Sequence, residues 1–281
     1  MRVYISADIE GCTGLVSWSQ CGRPNSNHYD YPFARRMMTG DVLAAVQGAV
    51  DAGADEVVIK DSHGNSKNLL IEAFDGLPVR LISGHGSHDH GMMVGVESGF
   101  DIAFLVGYHA MAGTLHGVME HTVTGGVHRL WVNGAENGEI GLSAGVAAAY
   151  NVPIGLVTSD RAGAQEADRQ LYGVTTVSVK DGLGRYMANC LPASQTQPMI
   201  REAAKKACQS IGQLRCLPFE HPCVIRIEFN RAEQADYCMR GSGVSRVDAY
   251  TVEVRGETYL EAHRAAWMLF GLSFPGSDAG D

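Results

Sequence analysis

The sequence has 281 residues, 45% hydrophobic and 19% charged, which is unlike a disordered chain and enough for one large globular domain or two modest ones. Its formal net charge of -9 argues against nucleic acid or an anionic membrane surface as the main partner. No apolar run approaches the roughly 18 to 20 residues of a membrane span, and the chain enters a strand pattern without a signal-peptide core, so we expect a cytoplasmic protein.

Strands and helices alternate through the first part of the sequence. Apolar runs such as Val57-Val58-Ile59 are typical of strands buried on both faces, and segments with helical spacing separate them. The patterns predict strands over 2–8, 56–61, 79–83, 102–107, 127–133 and 154–159, and helices over 33–52, 142–150 and 161–172. This order predicts an α/β fold with a central, mostly parallel sheet flanked by helices.

The pattern loosens after residue 179, where prolines interrupt it. We expect the elements that follow to form a second, smaller α/β unit at the C-terminus, for packing, pocket shaping or oligomer contacts. The chain then divides into a larger domain over 1–192 and a C-terminal domain over 193–281. The predicted elements of this part are strands over 224–229 and 246–255 and helices over 199–211, 231–239 and 257–270.

Two carboxylates, Asp8 and Glu10, close the first predicted strand just before Gly11. Side chains alternate along a strand, so the two acids point the same way, and the glycine permits a sharp turn beyond them. Two acids on one face repel each other unless a cation lies between them, and carboxylate oxygens bind divalent metals readily. Two ordinary surface acids at a solvated strand end are the alternative interpretation.

Histidines follow two of the other predicted strands. His63 comes after the second strand and His109 after the fourth. Ligands collect beyond the carboxyl ends of parallel strands, so these histidines can meet Asp8 and Glu10 at one edge of the sheet. Glu139, at the start of a small-residue helix, is a possible fifth ligand, although an isolated acid there would by default complement the helix dipole.

A glycine-rich segment over 84–91 holds a second group of histidines, His85, His88 and His90. Histidine tracts can bind metal, but a flexible loop loses much conformational entropy on closing round an ion, and this one lacks carboxylates on rigid strands. We therefore rank it second as a metal site. The remaining histidines are interpreted as surface or packing residues: His28, His116, His128, His221 and His263. The acids most easily mistaken for the ligand Glu139 are Glu120 and Glu136.

Several common enzyme motifs are absent from the sequence. It contains no HExxH helix, no Walker A loop and no strand-anchored GxGxxG, and its GxSxG match, Gly141-Leu142-Ser143-Ala144-Gly145, overlaps the predicted helix 142–150 instead of forming a strand-to-helix elbow. The sequence therefore lacks the motifs that usually identify serine hydrolases, zincins, P-loop NTPases and dinucleotide oxidoreductases. A non-enzymatic oligomer that binds peptides or stores metal stays an alternative.

Five short motifs, in order along about half of the chain, together carry a family resemblance. They are Ser6-x-Asp8-x-Glu10-Gly11, Asp61-Ser62-His63, Gly107-Tyr108-His109-Ala110, Gly117-Val118-Met119-x-His121 and Gly138-Glu139-x-Gly141. Each motif is weak alone, but the ordered set is specific. The sequence resembles the D-aminopeptidase family, the M55 metallopeptidases.

The resemblance implies two zinc ions per subunit, although manganese or cobalt would also suit nitrogen and oxygen ligands. It implies a catalytic role for His121, which by itself would be interpreted as a hydrogen-bonded loop histidine. It also implies a homo-oligomer, since family members form decamers of two stacked pentameric rings. The implied zinc ligands, with the first as the bridging carboxylate, are Asp8, Glu10, His63, His109 and Glu139.

These inferences together predict a zinc-dependent aminopeptidase that acts on short peptides. An activated water and a polarised carbonyl serve the hydrolysis of any amide. The preference for an N-terminal D-residue such as D-alanine is implied by the resemblance alone. The alternatives are a metal-dependent amidohydrolase or peptidase of L- or other non-standard substrates, and a non-catalytic, metal-containing oligomer that binds peptides.

Overall fold

The computed structural model describes residues 1–22, 30–86 and 89–273. The strands are β1 (Arg2–Ala7), β2 (Glu56–Asp61), β3 (Val79–Ile82), β4 (Ile102–Val106), β5 (Val127–Val132), β6 (Ala135–Glu136), β7 (Ile154–Asp160), β8 (Thr175–Gly184), β9 (Met187–Cys190), β10 (Cys223–Phe229), β11 (Val244–Arg246) and β12 (Thr251–Gly256). The α-helices are α1 (Tyr31–Asp51), α2 (Glu139–Ala149), α3 (Arg161–Gln170), α4 (Ala193–Gln209), α5 (Ala232–Cys238) and α6 (Tyr259–Ser273).

Seven strands form a largely parallel sheet in the order β3-β2-β1-β4-β7-β8-β9, in which only the edge strand β9 runs antiparallel to its neighbour. Five strands form a second, antiparallel sheet in the order β11-β12-β10-β5-β6. The predicted fold class, α/β with a mostly parallel sheet flanked by helices, is confirmed. The three strands that precede Asp8, His63 and His109 are direct neighbours, with β1 between β2 and β4.

Apolar side chains cover both faces of the large sheet, as the continuous apolar runs predict. Val3 and Ile5 of β1 face a cluster that contains residues of α1 and α4, whereas Tyr4 faces a cluster shared with α2, α6 and the second sheet. The large sheet is therefore the middle layer of the molecule. Among the helices of the described ranges, none is long and apolar enough to cross a membrane.

Several predicted elements differ from the observed ones. The predicted strand 246–255 is two strands, β11 and β12, that pair with each other. Helix α4 begins at Ala193 rather than at residue 199, because Pro198 is accommodated inside it instead of marking its start. Strands β8 and β9 were not predicted, since their segment is short of apolar residues and contains Gly182 and Gly184.

Two contacts cross the predicted domain boundary between residues 192 and 193. Strand β5, from the first part of the chain, pairs with β10 of the second sheet, with Ile225 opposite Val132. Helix α4, from the second part, packs along α1 on the large sheet, where Gly48 of α1 leaves room for the Arg201 carbonyl. The division into 1–192 and 193–281 stays a prediction.

Candidate metal centre

The loop that follows β1 is shaped by two glycines at points of close backbone approach. A Cβ atom on Gly11 would lie 1.7 Å from the Tyr108 carbonyl oxygen, and one on Gly107 would lie 2.3 Å from the Asp8 carbonyl oxygen. Gly107 also has a φ of 75°, which side chains disfavour. This contact joins the end of β1 to the end of β4 and brings Asp8 next to His109.

Six side chains meet at this edge of the sheet in two groups of three. In each group, the candidate ligand atoms all lie within 4.8 Å of one another. We call these groups the first triad and the second triad. The first triad is Asp8, Glu10 and His63, and the second triad is His109, His121 and Glu139.

Short distances hold each triad together and join the two. In the first triad, Nδ1 of His63 lies 3.3 Å from Oδ1 of Asp8 and 3.2 Å from Oε2 of Glu10. In the second triad, Oε1 of Glu139 lies 3.3 Å from Nε2 of His109 and 3.6 Å from Nε2 of His121. The link is Asp8, whose Oδ2 lies 3.5 Å from Nε2 of His109. One carboxylate therefore faces both triads.

Each of the three histidines has one ring nitrogen fixed by a backbone carbonyl. Nε2 of His63 lies 2.8 Å from the Cys21 carbonyl, Nδ1 of His109 lies 3.0 Å from that of Ala110, and Nδ1 of His121 lies 2.9 Å from that of Met119. A carbonyl only accepts hydrogen bonds, so these nitrogens are the donors. The other nitrogen of each ring, which faces the triads, is left free to bind a metal or a proton.

Three of the atoms in this cluster are buried and have no hydrogen-bond partner, namely Oδ2 of Asp8, Oε2 of Glu10 and Nε2 of His109. Such groups cost free energy unless something compensates them. Nitrogen and oxygen donors in this number suit zinc, and also manganese or cobalt. The donor set and its unpartnered atoms therefore fit two divalent cations.

The pKa values of the two acids in the first triad are shifted in opposite directions. Burial, together with repulsion by Glu10, raises the pKa of Asp8 to about 7. Burial also acts to raise the pKa of Glu10, but His63 outweighs it and holds that pKa well below its usual value. One acid is held ionised and the other resists ionisation, as expected when two carboxylates are buried side by side.

The two histidines nearest the acids have the complementary shift. Burial acts to lower the pKa of His63, but the Glu10 and Asp8 carboxylates raise it well above its usual value. Burial acts on His109 in the same way, and Glu139 and Asp8 raise its pKa. Positive charge is therefore strongly favoured between the carboxylates, and a metal ion would displace these protons on binding.

His121, the third member of the second triad, packs directly on His109. Its ring stacks on that of His109, with centroids 4.0 Å apart and planes 13° from parallel. Trp18 meets the His121 ring edge-on at 5.0 Å, and donates from its indole nitrogen to the hydroxyl of Tyr186 at 3.1 Å. Burial and the adjacent His109 lower the pKa of His121 to about 4, so the imidazole is neutral at physiological pH.

The loop that carries His121 is strained and tied down. His116, Met119 and Val123 all have positive φ values, between 53° and 63°, which non-glycine residues rarely adopt. The amide of Met119 donates to the Arg185 carbonyl at 2.8 Å, and the amide of Val123 donates to Oε1 of Glu139 at 2.6 Å. These bonds fix the backbone on both sides of His121.

A buried lysine, which the sequence analysis missed, supports the loop after β1. Lys180 of β8 is 1% exposed, and its ammonium group donates to the carbonyls of Glu10, Cys12 and Leu15 at 2.6 to 2.8 Å. All three of its protons are used. A lysine next to the buried valines of a Val-Ser-Val-Lys strand pattern is the signal that could have found it.

A second residue missed from sequence is Glu166 of α3, a buried acid behind the second triad. One oxygen accepts from the Met111 amide at 2.8 Å, and the other has no partner. Burial raises the pKa of Glu166 to about 7. Its place between Ala164 and Ala167, on the small-residue face of a helix, is the signal in the sequence.

Comparisons with known proteins identify the family of this chain. A family model described as D-aminopeptidase, peptidase M55, matches residues 1–268. A D-aminopeptidase from Bacillus subtilis (strain 168) is 32% identical over 278 residues, which cover 97% of this chain and 98% of the relative. The chain belongs to the D-aminopeptidase family.

The structural comparison supports the same family. The solved structure of the Zn-dependent D-aminopeptidase DppA from Bacillus subtilis, described as a self-compartmentalizing protease, matches with a TM-score of 0.91. The two sequences are 31% identical, and the match covers 98% of each chain. As a member of the D-aminopeptidase family, the protein is a metallo-aminopeptidase, a hydrolase of peptide bonds.

The residues considered as alternative metal ligands lie outside both triads. Glu120 accepts from the Gly113 amide and pairs with Arg185, while Glu136 is exposed on the second sheet and pairs with Arg129. In the part of the chain that the structure describes, neither of the two groups suited to a metal contains a histidine of the glycine-rich segment. His85 is exposed and His90 lies 2.8 Å from the Tyr150 hydroxyl, whereas His28 and His88 are outside the described residues.

Proposed function

We propose that this chain is a zinc-dependent aminopeptidase that removes the N-terminal residue of short peptides, with a preference for small D-residues such as D-alanine. The observation that carries the proposal is the pair of facing triads joined by Asp8, with buried donor atoms that lack partners. Membership of a peptidase family gives this arrangement its chemical meaning. The name of the Bacillus relative supports the D-residue preference, and the description of DppA supports zinc.

Five side chains would hold two zinc ions, with Asp8 shared between them. Oδ1 of Asp8 faces His63 and Oδ2 faces His109, as a bridging carboxylate requires. Bound zinc supplies a water of lowered pKa and polarises the scissile carbonyl. The proposed ligands are Asp8, Glu10, His63, His109 and Glu139.

His121 is proposed as the proton-transferring residue. Its Nδ1 donates to the Met119 carbonyl, which leaves Nε2 directed at the cluster as a proton acceptor. Stacking on His109 and the edge of Trp18 hold the ring in that orientation. Nε2 can then receive a proton released during attack and return it to the leaving amine. The competing role is a third ligand of the second triad, which its distance of 3.6 Å from Glu139 also allows.

The wall beside His121 is proposed to shape the substrate pocket. Trp18 and Tyr186 are joined by a hydrogen bond, and Tyr186 is 51% exposed. An aromatic pair at this position would restrict the side chain of the N-terminal residue and favour one configuration at its α-carbon. The D preference itself rests on the family.

The assembly is proposed to be a homo-oligomer, a decamer of two pentameric rings that takes short peptides into an internal chamber. The support is the description of DppA as a self-compartmentalizing protease. Light scattering on the purified protein tests this proposal, and a monomeric mass would contradict it while leaving the metal centre untouched. The cytoplasmic location stays a prediction.

The decisive experiment is a paired hydrolysis assay on D-Ala and L-Ala para-nitroanilides and on matched dipeptides. We expect turnover of the D-substrates, loss of turnover with a chelator, and recovery on addition of zinc. Turnover of L-substrates alone would leave a metallopeptidase of different specificity. Activity that survives chelation would contradict the zinc mechanism, and bound zinc without turnover of any substrate would favour the non-catalytic, peptide-binding alternative.

A further inference from the structure

Four hydroxyl groups form one hydrogen-bonded run beneath the metal centre. The Tyr108 hydroxyl lies 2.7 Å from Oγ of Ser6 and 3.0 Å from Oγ of Ser143. Oγ of Ser6 lies 2.8 Å from Oγ of Ser62, and both of these serines reach the Met92 carbonyl, at 2.9 and 2.7 Å. Ser6, Tyr108 and Ser143 are at most 3% exposed, so the run is closed to solvent over most of its length.

The segments that supply these hydroxyls are the same ones that supply the two triads. Each hydroxyl belongs to a residue one, two or four positions from a proposed zinc ligand, and the four-residue step is one turn of α2, where both side chains lie on the same helix face. The pairs of hydroxyl residue and ligand are Ser6 with Asp8, Ser62 with His63, Tyr108 with His109, and Ser143 with Glu139.

The hydroxyl protons suffice for an unbroken run. Ser143 can donate to Tyr108, Tyr108 to Ser6, Ser6 to Ser62, and Ser62 to the Met92 carbonyl, so each hydroxyl donates once. Hydrogen bonds in such a chain polarise and strengthen one another in a buried setting. The run therefore ties together the ends of three neighbouring strands and the first turns of α2.

We propose that this hydroxyl run is a positioning network that sets the spacing of the two triads, with Tyr108 as its central residue. The inference rests on the proposed function, because it assumes that the triads bind metal. Ligand atoms must be held within a fraction of an ångström for tight coordination, and partners outside the ligand set commonly supply that restraint. None of the hydrogen bonds described for the four hydroxyls goes to a ligand atom, so they act through the backbone of the segments they join.

Tyr108→Phe removes the central hydroxyl and leaves the ring in place. The chain also provides a matched control in Tyr4→Phe. Tyr4 is equally buried, lies on β1 in the same apolar cluster, and donates its hydroxyl to the Val94 carbonyl at 2.8 Å rather than to a member of the run. Both variants lose one buried phenol hydroxyl, but only one of them interrupts the run.

The measurement is zinc affinity by competition with a chromophoric chelator, with thermal unfolding of the metal-free proteins alongside. We expect Tyr108→Phe to bind zinc about 10-fold more weakly than the wild type, the lower end of the range found when direct partners of metal ligands are removed, because the hydroxyl acts on the ligands only through the backbone. Tyr4→Phe should bind zinc within about twofold of the wild-type affinity, and its unfolding temperature should shift by about as much as that of Tyr108→Phe. The visible absorption of bound cobalt(II) should change in the first variant and not in the second.

Wild-type affinity in Tyr108→Phe would overturn the positioning network, as would equal weakening by both variants, because that would reflect general loss of packing. If Tyr108→Phe does not fold, Ser143→Ala removes the hydroxyl at the end of the run and is expected to lower the affinity for zinc by a similar factor. Failure of the proposed function is distinguishable, since the wild type itself would then bind no zinc and this inference would fall with it.

Discussion

Acidic side chains are buried at the carboxyl edge of the large sheet, whereas those of the five-stranded sheet form ion pairs in solvent. At the edge, Asp8 and Glu10 are 2% exposed and Glu139 is 4% exposed, and among the described residues their carboxylates form ion pairs with histidines only. On the second sheet, Arg226 pairs with Glu253 at 2.8 Å in solvent, as an ordinary surface ion pair does.

Burying a charge without compensation is costly, so stability alone would favour the second arrangement everywhere. The exception at the edge of the large sheet therefore indicates a ligand that contributes positive charge. The acids that identify a functional site are therefore those whose burial the rest of the protein does not explain. Substitutions in the two regions should consequently behave very differently.

The largest effect is expected for Asp8→Ala, which removes the carboxylate shared by both triads. We expect kcat/KM to fall by about 10³- to 10⁵-fold, because metal-assisted charge stabilisation contributes several kcal/mol. Elemental analysis should show loss of zinc. Glu253→Gln on the second sheet removes a carboxylate of the opposite kind and should retain both zinc and activity. Full zinc occupancy in Asp8→Ala would contradict the shared-ligand assignment.

The next effect separates the two roles of His121. If His121 transfers a proton, His121→Ala should lower kcat by about 10²- to 10⁴-fold while the protein retains two zinc ions. If it is instead a ligand of the second triad, the zinc content should fall toward one. Metal content and kcat measured on the same preparation decide between these roles.

A smaller effect is expected from Glu166, and it depends on pH. The pKa of Glu166 is raised from 4.5 to about 7, so the folded state binds this proton more tightly than the unfolded state. The free energy of unfolding should therefore fall as pH rises between about 4.5 and 7. Glu166→Gln should be more stable than the wild type above pH 7, by up to about 3 kcal/mol, and equal to it near pH 4.

Urea unfolding of the metal-free proteins across this pH range measures the effect of Glu166→Gln. Asp168→Asn, an exposed acid on the same helix, is the control and should show no such difference. A constant offset between wild type and Glu166→Gln at every pH would contradict the assignment, because a structural effect of the amide does not titrate.

The smallest effect is expected for the ion pair of the second sheet. A double-mutant cycle with Arg226→Met and Glu253→Gln should give a coupling of about 0.2 to 1 kcal/mol, as exposed pairs do, and it should shrink in salt. Urea unfolding at low and high ionic strength measures it. A coupling of several kcal/mol would remove the contrast between the two regions.

The sequence predicted the parts of this molecule that depend on local patterns. The apolar runs before Asp8, His63 and His109 identified three strands, and the rule that ligands collect at carboxyl ends predicted their common edge. The structure brings these residues together, along with Glu139 and His121, although their roles as ligands and catalyst stay predictions. The convergence of Asp8, His63 and His109 could be predicted because the carboxyl ends of parallel strands lie at the same edge of a sheet.

The features that were missed depend on distant contacts. Nothing near Lys180 in the sequence shows that it reaches the carbonyls of Glu10, Cys12 and Leu15, and the run through Tyr108 joins residues up to 137 positions apart in sequence, from Ser6 to Ser143. Strand β8 itself was overlooked because its second half is polar and glycine-rich. Such contacts are set by tertiary packing, which overrides local propensity.

The support that Lys180 provides forms late in the synthesis of the chain. It holds a loop that lies 165 to 170 residues earlier in the chain, so this loop cannot be braced until β8 has been made by the ribosome and has joined the sheet. A nascent chain that has just released its first three strands already carries Asp8, Glu10 and His63, but not the support that shapes their loop. The loop that carries Asp8 and Glu10 therefore takes its braced form only after β8 has joined the sheet.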